Sequence, residues 1–208
     1  MNRTLSELLR EGTKDSHFAA EHTPFIQKFF KGELRIEDYS RFLLQLYFIY
    51  QTMEEKLREH KRHPFLKFIY YPELFRTKPL ERDLNHYFKS DFWNKIKPLE
   101  TTINYSSRIT QLSDEWPEGL VAHSYTRYLG DLSGGQVLKR LVEKMYTLSN
   151  GSGTAFYKFP LIPDQTKFKQ DYRMKLDYLP VNAESVNKIV DEANYAFQLN
   201  MNLFNSLM

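Results

Sequence analysis

Apolar residues recur at steps of three and four along almost the whole chain, the spacing that gathers them on one face of a helix. Thr4-Leu5-Ser6-Glu7 reads as a capping box. Leu5, Leu9, Thr13, His17 and Glu21 then share one face at four-residue steps and predict a first helix. Thr23-Pro24 reads as an N-cap followed by a proline at the first helical position, with Gly32 as the stop. Ile36, Tyr39, Leu43, Leu46, Tyr50, Met53 and Leu57 mark a long helix that His63-Pro64 ends. That stripe also suits a coiled-coil seam, but its aromatics fit a core-facing helix better. Pro72 and Pro79 punctuate a loop-rich passage, and Leu80, Leu84 and Tyr87 predict a short helix. Ile103, Ile109 and Leu112 predict another, closing near Trp116-Pro117. Helices are expected over 118–146 and 166–179, with a loop at Asn150-Gly151-Ser152-Gly153 between them. A final helix carries Val186, Val190, Ala193, Phe197, Asn200 and Phe204 on one stripe. Without strand alternation, repeats, low-complexity tracts or linkers, residues 1–208 are predicted to form a single all-α domain.

One segment breaks the helical rules. Gly130-Asp131-Leu132-Ser133-Gly134-Gly135 interrupts a good apolar stripe, which resumes at Val137, Leu138 and Leu141. Each interior glycine costs about 0.8–1 kcal/mol relative to alanine, so three cost about 3 kcal/mol. The segment reads either as a Gly-rich turn between two helices or as a kinked helix whose bare backbone lies against something flat. The absence of a proline or polar gap favours the kink. Asp131, expected to be buried there, either caps the kink or orders water for proton delivery.

Composition narrows the chemistry. The 208 residues include no cysteine, which excludes disulfides, a thiolate nucleophile, Cys-ligated zinc and Cys-held iron–sulfur clusters. Aromatics reach 15%, enough to offset a modest apolar fraction of 41% in building a core. The net charge of +3 is too mild to argue for nucleic acid. The longest pure apolar run, Leu46 to Tyr50, falls far short of the ~20 residues that span a bilayer, so no membrane segment is expected. Gly151-Ser152-Gly153 begins a dinucleotide-type glycine pattern, but Phe156 stands where its last glycine belongs.

The run Ala122-His123-Ser124-Tyr125-Thr126-Arg127-Tyr128-Leu129-Gly130-Asp131-Leu132-Ser133-Gly134-Gly135-Gln136 closely resembles the signature of haem oxygenases. Thr13-Lys14-Asp15-Ser16-His17 is similar to the family's proximal-histidine segment. Leu46 to Tyr50, Thr166 to Arg173 and Ala196 to Asn200 also match in order and spacing. The resemblance runs from about Leu5 to Leu207. It implies the family's all-α fold, with haem clamped between a proximal helix and a kinked, Gly-rich distal helix.

Position by position, the resemblance implies the following site. His17 would be the axial iron ligand, and Glu21 one turn on could fix its tautomer. His22 would be a bystander and His123 structural. Gly130 and Gly134 would let the distal helix approach the porphyrin, and Asp131 would hold a water network supported by Tyr50, Arg127 and Asn200. Asn200 on an apolar stripe also fits a self-satisfied core amide. Lys169 and Arg173, with Arg10 and Tyr125, would pair with the two propionates, and Phe197 would contact the haem. A solvated basic face is the alternative for the first two. Arg10 stands where the family more usually has a lysine, which keeps the charge.

The implied reaction cleaves haem at the alpha-meso carbon to biliverdin, carbon monoxide and ferrous iron, with haem as both substrate and cofactor. Dioxygen is the oxidant. Electrons would come from a separate ferredoxin system or flavoprotein reductase, with no tightly bound flavin or nicotinamide in the chain. The expected setting is a soluble cytoplasmic monomer, without an anchor or with one removed. A non-catalytic haem carrier and a helical interaction module are the competing readings.

Overall fold

The computed structural model describes residues 3–148 and 152–208, so Asn150 and Gly151 of the expected loop lie outside the described residues. Among the described residues every regular element is helical. Helix α1 (Leu5–Gly12) opens on the predicted capping box: Thr4 Oγ1 accepts from Glu7 N, and Glu7 Oε2 accepts from Thr4 N at 3.1 Å. The expected continuous helix to Glu21 is broken at Thr13, whose hydroxyl donates to Leu9 O at 2.7 Å. A side-chain hydroxyl competing for a backbone carbonyl bends the helix there. Helix α2 (Lys14–Glu21) follows, and carries His17.

Helix α3 (Pro24–Lys31) starts on its N1 proline and stops at Gly32, whose φ of +72° suits glycine. Thr23 does not cap it as expected; its hydroxyl donates backward to Ala20 O at 2.9 Å. Helix α4 (Ile36–Glu59) buries Tyr39, Leu43, Leu46, Tyr50, Met53 and Leu57 in the core, so the stripe faces the core except at its first residue, Ile36, which is exposed. Buried carboxylates order the irregular passages. Glu54 accepts from Arg76 N and from Thr77 N and Oγ1, the last at 2.6 Å, at the start of α5 (Thr77–Phe88). Asp83 accepts from Ala155 N and Phe156 N, at 2.8 and 2.7 Å, and ties that turn to α5.

Helix α6 (Glu100–Glu115) ends at Trp116-Pro117 as expected. The helix predicted over 118–146 is not one α-helix. It runs as α7 (Leu120–Ser124), a π-helical turn (Tyr125–Leu129), helical Gly130 and Asp131, a turn at Leu132-Ser133, and α8 (Gly134–Met145). The segment is thus both kinked and interrupted, and is called the distal helix below. Helix α9 (Gln165–Asp177) precedes α10 (Ala183–Ser206), which packs on α1, α2, α6 and α7.

A buried polar bridge fixes α10 against the distal helix. His123, fully buried, lies with Nε2 2.9 Å from Glu192 Oε1, and Arg108 Nε donates to the same oxygen at 3.1 Å. His123 therefore sits in a structural bridge. Burial alone would raise the Glu192 pKa, but the bonds from His123 and Arg108 outweigh it and bring it down to about 2. A carboxylate depressed in this way stabilises the fold above its ordinary pKa and loses that contribution as pH falls toward 2. Between pH 5 and pH 3 the parent chain should lose about 2 kcal/mol from this group. Glu192→Gln should be less stable at pH 5 and lack that loss; denaturant melts at both pH values check it.

Candidate active site

A cleft of about 830 Å³, open to solvent, separates α2 from the distal helix. His17, Ala20 and Glu21 border it on the α2 side; Arg127, Gly130, Asp131 and Gly134 border it opposite. Phe42 and Leu46 of α4 and Phe197, Asn200 and Phe204 of α10 close its inner end. The same cleft continues to a mouth bordered by Arg10, Lys14, Tyr125 and Arg173.

The His17 side chain is 57% exposed in this cleft, beside the small Ala20 and the carboxylate of Glu21. Its Nδ1 lies 3.7 Å from Glu21 Oε1, close enough for electrostatic attraction but longer than a hydrogen bond. The ring meets Phe197 edge-on at 5.7 Å. His22 belongs elsewhere: it stacks on Phe18 and its Nδ1 lies 2.8 Å from Phe18 O. Among the described residues no group of three or more His, Asp or Glu could hold a bare metal ion. A single exposed imidazole in a cleft fits an iron whose other ligands come from an organic ring, which needs no such group of protein ligands.

The distal wall is bare backbone. A Cβ added at Gly130 or at Gly134 would meet no protein atom within 4 Å. Gly130 also has ordinary helical angles, φ −61° and ψ −49°, so its backbone does not require glycine. Gly135 differs, since a Cβ there would lie 3.4 Å from Tyr157 Cδ1. The first two glycines leave room for something in the cleft, whereas a Cβ at Gly135 would make an ordinary van der Waals contact.

Behind this wall lies a polar network. Arg127 Nε donates to Tyr50 Oη at 3.0 Å, and its Nη1 donates to Asn200 Oδ1 at 2.6 Å. Tyr50 in turn donates to Asp131 Oδ2. Asn200 completes its amide on Ala196 O, so it is both core-satisfied and part of the network. Burial raises the Asp131 carboxyl above the ordinary aspartate range, against the opposing pull of Arg127 and the bond from Tyr50. It therefore takes up a proton more readily than a free aspartate. Burial likewise drives the Tyr50 hydroxyl well up, so it remains a donor.

Arg10, Tyr125 and Arg173 border the same opening, and the two cations oppose the upward shift that burial gives the Tyr125 hydroxyl. Lys169 does not join them. Its ammonium donates to Leu132 O at 3.3 Å and to Ser133 Oγ at 3.2 Å, on the carbonyl end of the distal kink. Its helix face allows either site; the carbonyl freed by the turn attracts the cation.

Sequence reasoning missed Thr126, which borders both parts of the cleft and whose buried hydroxyl has no partner among the described residues. It also missed Gln136, whose amide donates to Asp131 O at 3.1 Å and to Tyr157 O at 2.9 Å. Both stand in the glycine-rich signature, and that location was the available signal.

A sequence model of the heme oxygenase family matches residues 3–206. Heme oxygenase 1 of Synechocystis sp. is 45% identical over 207 residues, spanning all of this chain and 86% of its own. The heme oxygenase of Guillardia theta is 44% identical over 207 residues, again spanning all of this chain and 87% of its own. Among solved structures, heme oxygenase from Leptospira interrogans has a TM-score of 0.96 at 44% identity, covering 98% of this chain and 100% of its own. Heme oxygenase-1 from the cyanobacterium Synechocystis, solved in complex with heme, has a TM-score of 0.95 at 45% identity, covering 99% and 92%. With such identity spread over the full length, and the same fold in a heme-bound relative, the chain belongs to the haem oxygenase family.

Proposed function

We propose that this chain opens haem to biliverdin, carbon monoxide and ferrous iron, the general reaction of its family, in the cleft between α2 and the distal helix. The observation that carries this assignment of the site is the glycine wall. Gly130 and Gly134 face space that no protein atom fills, and packing requires glycine at neither position. A flat ligand in the cleft explains it.

When bound, haem supplies the iron that accepts external electrons and dioxygen, and its alpha-meso carbon is the atom oxidised. His17 binds the iron as a neutral imidazole, which donates less electron density than a thiolate would. Glu21, 3.7 Å away, orients that ring electrostatically. Gly130 and Gly134 would leave room for the haem beside the distal backbone and help exclude bulk water.

Asp131 acts as the proton station. Its raised carboxyl is held by Tyr50, and Tyr50 by Arg127, so its carboxylate oxygens keep one orientation. Asn200 locks Arg127 from the other side. Phe197 packs on the His17 ring. Arg10, Tyr125 and Arg173 would hold the two propionates and so set which meso carbon is presented for oxidation, the alpha position. Lys169 supports this from the kink rather than from the mouth. The electron source is a separate ferredoxin system or flavoprotein. No helix among the described residues is long and apolar enough to cross a membrane.

The decisive assay mixes the protein with hemin, a reductase system and oxygen and follows the visible spectrum. Loss of the haem band with release of biliverdin and carbon monoxide is expected; a haem band that persists would sink the oxygenase reading and leave a carrier. Gly130→Ala separates wall from scaffold. The free protein should be as stable as the parent or up to ~1 kcal/mol more stable. Haem affinity should fall roughly ten- to hundredfold, as expected for about 1–3 kcal/mol of overpacking against the ligand. Thermal melts and haem titration read the two effects independently. His17→Ala should lose the histidine-ligated spectrum of the complex, and an unchanged spectrum would refute that ligand. Asp131→Ala should still bind haem while biliverdin output drops about 10²-fold or more, measured by single-turnover absorbance.

A further inference from the structure

The face of α10 that meets α1 and α2 carries contacts that the site described above does not use. Val190, Asn194 and Phe197 follow at steps of four and three, and so lie on one side of the helix. Each meets the chain around His17. A Cβ on Gly12 would stand 2.6 Å from Val190 Cγ1, so glycine is what lets the end of α1 come this close. Asn194 Nδ2 donates to Gly12 O at 3.0 Å and to Val190 O at 3.1 Å, while its Oδ1 accepts from Ser16 Oγ at 2.6 Å. Phe197 meets the His17 ring edge-on.

The break at Thr13 explains why a bridge is needed. Across the break the backbone keeps Thr13 N to Leu9 O at 3.1 Å and His17 N to Thr13 O at 2.9 Å, and the Gly12 carbonyl is bonded from outside the two helices. Asn194 spans the break. One end of its amide holds Gly12, the last residue of α1; the other holds Ser16, in the first turn of α2. Ser16 directly precedes His17, so that bond fixes the backbone from which the imidazole projects. Both ends of the amide are used, which leaves Asn194 a single orientation.

We infer that Asn194, through Ser16 and Gly12, is a positioning residue that sets the angle of α2 and thereby aims the His17 imidazole into the cleft. The inference rests on the reading of His17 as the axial ligand. Asn194 touches neither the cleft nor the reacting atoms; it acts through the helix that carries the ligand.

Asn194→Leu keeps the side-chain volume and removes all three bonds. Ser16→Ala removes one of them, and Ser16→Thr restores a hydroxyl. Two readouts are taken besides haem titration: amide hydrogen exchange of the free protein, and the iron–histidine stretching vibration of the ferrous haem complex. Asn194→Leu should speed exchange across residues 14–21 but not across α4, shift or broaden the vibration, and weaken haem binding about tenfold. Ser16→Ala should move all three readings the same way by less, and Ser16→Thr should return toward the parent. Unchanged exchange and vibration in Asn194→Leu and Ser16→Ala overturn the inference. Should Asn194→Leu lose helical content throughout, the single-hydroxyl change Ser16→Ala decides by the same criteria. His17→Ala is the reference. If its iron–histidine band disappears while that of Asn194→Leu is unmoved, the positioning role alone falls. If the band survives in His17→Ala, the ligand assignment and this inference fall together.

Discussion

A buried guanidinium sets the terms of this fold. Arg127 is 9% exposed, and burial works against its charge, yet Tyr50, Asp131 and Tyr105 together hold its pKa above the ordinary arginine value. A buried charge without partners is prohibitive, so the partners must converge on it. Tyr50 comes from α4 and Asn200 from α10, while Asp131 lies one turn on from Arg127, just past the π-helical turn. The requirement to satisfy one cation thus brings the long core helices and the distal helix to a common point beside the cleft. It also fixes Asp131, because Tyr50 bonds both Arg127 and Asp131. Structural and chemical demands meet in one side chain.

How much of this can be read from the chain depends on the range of the interaction. The capping box at Thr4, the stop at Gly32 and the core face of α4 were legible because each is written in neighbouring residues. The break at Thr13 was not. Threonine at that step continues the stripe perfectly well, and only its chosen hydroxyl bond to Leu9 O distinguishes bend from helix. The π-helical turn at 125–129 was equally hidden: its extra residue per turn is a tertiary compromise, with no local signature in Tyr-Thr-Arg-Tyr-Leu. The site roles came from resemblance over a long contiguous segment rather than from periodicity. Lys169, expected at the mouth from that resemblance, donates to Leu132 O and to Ser133 Oγ, and Ser133 is one of the residues that border the mouth.

The glycines illustrate the same division in physical terms. Gly12, Gly119 and Gly153 each stand where a Cβ would come within 2.5–2.7 Å of another side chain, so protein packing accounts for them. Gly130 and Gly134 face nothing. Neither is needed for a protein contact there, so the bare surface is shaped for something other than the packing of the protein itself. The π-helical turn just before them compounds the effect, since one additional residue per turn rotates everything that follows relative to what precedes. It lets Arg127 point into the core while Gly130 lies along the cleft. The π turn and the bare wall are therefore parts of one arrangement, costly locally and coherent only with the space they border.

The width of that space is referenced to a single helix. Within nine residues, α10 presents Glu192 to His123 and Asn200 to Arg127, both on the distal side, and Asn194 to Ser16 and Phe197 to His17, both on the proximal side. The two walls scarcely need to touch each other, because each is tied to the same rigid element by one polar and one further contact. A cleft defined in this way holds its separation when empty, which spares a flat ligand the cost of opening it. It also means that the His17 ring and the Asp131 carboxyl, on opposite sides and far apart in sequence, share one frame. A helical rise of about 1.5 Å per residue makes that frame accurate over the nine residues in question. The helix least marked by unusual residues is the one that aligns the unusual ones.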